Sequence, residues 1–174
     1  MTNYIKKTDI IVIVDDNYTN LGVLSDFFDQ TGHEVGVSKS GEIALQRIEY
    51  ALPDLILWDI MASVMDEFET CIHLKNNSAT CDSYVIFMIA VFDTESQVKG
   101  LNLGAVDYIN KPFQQEEVLA RVKLHLKLYK SIEKVVTQSQ FLAAIVQERT
   151  SDLKQMIEEF KKIKAQLNSK QKNV

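Results

Sequence analysis

Four side chains stand where chemistry could be done. Asp15 and Asp16 follow the apolar run "DIIVIV" (9–14), Asp59 ends "DLILWD" (54–59), and Lys111 lies just past "AVDYI" (105–109). Three carboxylates brought together repel one another, and all stay ionised only beside a cation. Oxygen donors without histidine or cysteine suit a hard ion. Mg2+ is the natural candidate, because it needs few protein ligands and keeps several waters. A lysine ammonium is a mobile point charge suited to a phosphoryl oxygen. Together these residue types describe a site for a hard cation and a phosphoryl group.

Convergence of four residues so far apart depends on the elements between them. Residues 8–128 alternate short apolar runs with helical patterns. After the first run, Leu21, Leu24, Phe27 and Phe28 recur at helical spacing, and Gly32 marks a stop. "EVGVS" (34–38) reads as a second strand. Ser40 is placed to cap a helix whose Ile43, Ala44, Ile48 and Ala51 share a face. "DLILWD" is the third strand, "EFETCIHLKNN" the third helix and "YVIFMIAV" the fourth strand. Thr94 and Gln97 stand in capping-box spacing at the start of the fourth helix, which Gly104 ends. The fifth strand, "AVDYI", precedes a helix from Gln114. Five β-α repeats with apolar strands predict a doubly wound α/β domain, a five-stranded parallel sheet with helices on both faces. Ligands of such sheets sit beyond the carboxyl ends of the strands. Asp15, Asp16, Asp59 and Lys111 all fall on that edge.

"IVDD" (13–16), "PDLILWDIM" (53–61), "VIFMIA" (85–90) and "LGAVDYINKPF" (103–113), in this order and spacing, resemble a response-regulator receiver domain of bacterial two-component signalling, the CheY-like fold. The resemblance covers residues 8–128. It implies that Asp59 accepts a phosphoryl group from a histidine kinase or phosphotransfer protein. It further implies that Asp16, Asp59 and the backbone carbonyl of Met61 hold Mg2+ while Asp15 assists, and that Lys111 contacts the phosphoryl group from beside a cis Lys-Pro bond. A phosphatase of the haloacid-dehalogenase type would carry its nucleophile after the first strand in an Asp-x-Asp pattern. The adjacent Asp15 and Asp16 do not fit that pattern.

The chain departs from the family in two places. The fourth strand normally ends in Thr or Ser followed by Ala, and here the pair is Ile89 and Ala90. The family's hydroxyl bonds the phosphoryl oxygen and carries the signal to an aromatic residue, here Tyr108. Ile89 has no donor and a stiff branched side chain. After the acceptor, Met61-Ala62-Ser63 and Asp66-Glu67 replace the usual Met-Met-Pro and Asp-Gly. These changes motivate an alternative, a degenerate receiver that serves as a constitutive interaction scaffold.

Composition narrows the remaining options. The chain has 174 residues, 46% hydrophobic and 25% charged, with net charge -5. That balance argues against nonspecific nucleic-acid binding. Cys71 and Cys81 form no metal-ligand spacing and suit free thiols in a cytoplasmic setting. The longest apolar run, residues 84–92, is too short to span a bilayer. His33, His73 and His125 show no ligand spacing. Past residue 128 the strands stop, and the stretch from Gln114 onward holds no proline or glycine. Val146, Leu153, Phe160 and Leu167 recur every seven residues, with Leu142, Met156 and Ile163 on the companion seam and Arg149 at its remaining slot. That pattern predicts a coiled coil over the tail, 129–174, with an earlier register (Val122, Tyr129, Val136) offset from it. No DNA-reading helix-turn-helix or separate catalytic domain follows, so the expected output runs through partner contacts and a homodimer of the tail.

Overall fold

The computed structural model describes residues 8–60 and 67–171. Met61, Ala62, Ser63 and Asp66 therefore lie outside the described residues, as do the side chains of Glu67 and Leu167. The elements follow one another as β1 (Ile10–Val14), α1 (Tyr18–Gln30), β2 (Glu34–Ser38), α2 (Gly41–Ala51), β3 (Leu55–Asp59), α3 (Glu67–Asn76), β4 (Tyr84–Ala90), α4 (Thr94–Asn102), β5 (Asp107–Lys111) and α5 (Gln115–Gln171). The strands form one parallel sheet in the order β2-β1-β3-β4-β5. The order reverses between β1 and β3, so a crevice opens where Asp15 and Asp59 emerge.

Alternate side chains of each strand point to opposite faces, which explains the unbroken apolar runs. Ile11, Ile13, Leu57 and Met88 pack under α1 and the first turns of α5, where Val118, Val122 and Leu126 are buried. Val12, Val14, Trp58 and Phe87 pack on the other face with Ala44 and Ile48 of α2 and Leu74 of α3. Trp58 is fully buried, as a core residue should be.

Some local features differ from the sequence expectation. Asp93, not Thr94, caps α4, its carboxylate accepting from the Ser96 N–H at 3.0 Å. Aspartate is the stronger cap, and it stands one position earlier. Ser40 does cap α2, accepting from Ile43 N–H. However, Ile43 and Ala51 face solvent, and Gly41, Ala44 and Ile48 form the buried stripe. β5 runs two residues beyond its apolar stretch and ends on Lys111 itself.

Two glycines give opposite expectations. A Cβ at Gly100 would lie 2.7 Å from Phe87 Cδ2, whereas one at Gly22 meets nothing within 4 Å. Gly100→Ala should destabilise the chain by about 1–3 kcal/mol through overpacking. Gly22→Ala should stabilise it by about 0.5–1 kcal/mol through helix propensity. Urea unfolding of the two variants checks both signs.

The chain divides into two compact units, one ending at Tyr129 and one beginning at Lys130. Within the first, α5 is tied to β5 through Asp107, whose carboxylate accepts from Arg121 at 3.0 Å and lies 3.1 Å from His125 Nε2. Burial pushes the Asp107 carboxyl up, but the bonds from His125, the Tyr108 N–H and Arg121 outweigh it and hold it below the usual range. Tyr129 stacks edge-on to Tyr84 at 5.3 Å. Val122 and Tyr129, expected from sequence in an early coiled-coil register, thus belong to the face that α5 packs on its own sheet. The second unit is helical, and its seam residues Leu142, Val146, Leu153, Met156, Phe160 and Ile163 are all exposed. No helix among the described residues is long and apolar enough to cross a membrane.

Candidate functional site

The first acid is held by the sheet itself. Asp15 N–H donates to Ser38 O at 3.1 Å, extending the β1–β2 ladder by one residue. This draws the Asp15 side chain fully into the protein. The chain then turns into α1, capped by Asn17, whose side chain accepts from the Thr19 and Asn20 N–H groups. The same turn aims two donors back at Asp15. Asn17 N–H reaches Oδ1 at 2.8 Å, and the Asn20 amide reaches Oδ2 at 3.0 Å. Asp16 remains exposed.

β3 presents Asp59, only 2% exposed, from a mount buried at every position. β5 delivers Lys111 from the far side of β4. Its ammonium donates to Asp59 Oδ2 and lies 3.9 Å from Asp15 Oδ2. The Lys111–Pro112 bond is cis. Oxygens of Asp15, Asp16 and Asp59 all lie within 4.8 Å of one another. The structure therefore gathers Asp15, Asp16, Asp59 and Lys111 at one point, while Met61 lies outside the described residues. Asn17 and Asn20 were missed from the sequence. Their signal was asparagines at the first turn of a helix that begins directly after the acids.

The donor set fits a hard divalent cation: three carboxylates from two strand ends, arranged closely enough to share one ion. Electrostatics agree. Burial pushes the Asp15 carboxyl above its usual range and the Asp59 charge pushes it further, while the Asn17 and Asn20 bonds and Lys111 pull it down. A cation at this point favours the ionised forms of all three acids.

Beside the acids, Ile89 is 1% exposed and packs in the cluster that contains Val14, Trp58 and Phe87. Tyr108 is half-buried against the same cluster, and Ala90 is exposed. Ile89 registers opposite Asn110, whose side chain accepts from Gln97 at 3.3 Å and so links α4 to β5.

The response regulator receiver domain model matches residues 11–123. The chain is 37% identical over 118 residues to the alkaline phosphatase synthesis transcriptional regulatory protein PhoP of Bacillus subtilis, covering 67% of this chain and 48% of that protein. It is 30% identical over 125 residues to protein PilG of Pseudomonas aeruginosa, covering 72% of this chain and 93% of PilG. The chain spans about half the length of the transcriptional regulators it matches. A solved two-component response regulator from Clostridium difficile superposes with a TM-score of 0.64 at 28% identity, covering 69% of this chain and 97% of that one.

Proposed function

This chain belongs to the response regulator receiver domain family of two-component phosphorelay signalling, and on that premise we propose that Asp59 is its phosphoryl acceptor. The observation that carries the proposal is the meeting of Asp59 with Asp15, Asp16 and Lys111. A carboxylate oxygen of Asp59 attacks phosphorus while the bond to the donor, a phosphohistidine nitrogen or an acyl oxygen, breaks and its electron pair leaves with the donor. Lys111, already on Asp59, holds its positive charge where the phosphoryl oxygens arrive. β3 fixes the line of attack, since a buried strand cannot reorient. Asp15, Asp16 and Asp59 would hold Mg2+. When bound, the ion offsets the repulsion among the acids and the charge on the phosphoryl group.

The phosphoryl donor is a histidine kinase or phosphotransfer protein. The receiver unit comprises residues 8–128, and the helical tail, 129–174, pairs with a second copy as a coiled coil. The chain acts as an acceptor whose only chemistry is its own phosphorylation and dephosphorylation. Ile89 weakens the coupling to Tyr108, because a buried branched alkyl group can make no hydrogen bond to a phosphoryl oxygen.

The test is incubation of the full chain with acetyl phosphate and Mg2+, read by intact mass and by the emission of Trp58. One phosphoryl mass is expected, reduced to background by Asp59→Asn or by chelator. Weak coupling predicts little change in Trp58 emission on uptake. Equal uptake by Asp59→Asn would overturn the assignment.

A further inference from the structure

We infer that Asn20 is a positioning residue that keeps Lys111 on Asp59, by occupying the oxygen of Asp15 to which the ammonium would otherwise turn. This deepens the reading of Asp59 as acceptor and rests on it for its consequence in phosphoryl uptake.

The geometry is specific. Two buried carboxylates, Asp15 and Asp59, flank one lysine. The ammonium donates to Asp59 Oδ2 but stands 3.9 Å from Asp15 Oδ2, beyond hydrogen-bond distance. That same Asp15 oxygen accepts from the Asn20 amide at 3.0 Å, while the other takes the Asn17 N–H at 2.8 Å. Both oxygens of Asp15 are thus served by neutral donors, and the lysine acts on them through its charge without a hydrogen bond. A lysine ammonium sits on a flexible stem with three rotatable donors, so small differences between two acceptors decide where it rests. Asn20 can act this way because Asn17 starts the helix. A residue in the first turn leans its side chain back toward the N-terminus, here toward the end of β1. Without the amide, Asp15 Oδ2 loses a buried hydrogen bond, and Lys111 is the cation placed to replace it. The lysine is then shared between the acids, and Asp59 loses the charge that meets an incoming phosphoryl group.

Double-mutant cycles of urea unfolding, run on the full chain in chelated buffer, test this directly. Lys111→Met is paired with Asp59→Asn, and separately with Asp15→Asn, in chains carrying Asn20 or Asn20→Ala. The expected result in the Asn20→Ala background is a fall of about fivefold or more in the Lys111–Asp59 coupling, read as a ratio of unfolding constants, with a rise in Lys111–Asp15 coupling. Asn20→Leu, close to asparagine in size, should give the same pattern and replaces Asn20→Ala if that variant does not fold. Couplings that agree within about twofold in both backgrounds would overturn the inference. The cycle reads folding alone, so its outcome stands even if the unaltered chain takes up no phosphate. That second result would refute the acceptor reading instead.

Discussion

Replacing Lys111 with methionine is expected to lower stability by about 2–3 kcal/mol in chelated buffer, and by clearly less in millimolar Mg2+. Asp15 and Asp59 are essentially sealed from solvent at 0% and 2% exposure, while the Lys111 side chain is 25% exposed. Removing one partner of a fully buried ion pair typically costs about 3–5 kcal/mol, because the other charge is left unpaired. Partial exposure of the lysine screens the pair and lowers that figure. Methionine keeps the apolar stem, so the loss reports charge more than packing. A cation that binds the folded chain and not the unfolded one stabilises it by mass action. Its benefit should be larger in the variant, where no ammonium competes for the acids. Urea midpoints of both chains, with and without Mg2+, read the effect. A gap that is the same in both buffers would show that lysine and cation do not share one site.

The double variant Leu153→Glu/Phe160→Glu should convert a dimer into a monomer without altering the receiver unit. Ile132, Val135, Leu142, Val146, Leu153, Met156, Phe160 and Ile163 lie on one alternating three-and-four spacing, and all are exposed. In a parallel pair the same spacing sets Glu159 of one helix opposite Lys164 of the other, a favourable flank. Ser139 and Arg149 fill the two remaining slots of that spacing, and the charged Arg149 interrupts the apolar seam most strongly. Such a residue costs stability while fixing register, and it identifies the layer where the pair is weakest. Burying a leucine contributes about 1.5–3 kcal/mol, and each substitution acts twice in a symmetric pair. Losing two such layers therefore raises the dissociation constant by at least about a thousandfold. Sedimentation of the full chain and the double variant checks this. Two monomers, or two dimers, would contradict the coiled-coil proposal.

The fold was legible because its signals were strong and local. Strands buried on both faces show as unbroken apolar runs, and glycine at Gly32 and Gly104 takes positive φ after helices as the spacing predicts. The acids were legible because each stands at the end of such a run. What escaped was set by contacts across the fold. Ile43 lay on the expected helical face, yet the buried stripe of α2 is rotated toward Gly41, where a Cβ would come within 3.0 Å of Trp58. The Val122–Tyr129 spacing is the same in a coiled coil and in a helix docked on a sheet, so spacing alone could not separate them. Asn20 was invisible for a related reason. An asparagine in a first turn is common, and only the position of β1 shows that its amide meets a buried acid.

Asp59 as the residue that takes the phosphoryl group can be tested chemically. Borohydride reduction of the phosphorylated full chain converts an aspartyl phosphate into homoserine, which peptide mass mapping locates. The predicted result is homoserine at position 59 alone, with a lower yield from Lys111→Met chains. Homoserine at Asp15 or Asp16, or a label that resists reduction and maps to another residue type, would contradict it.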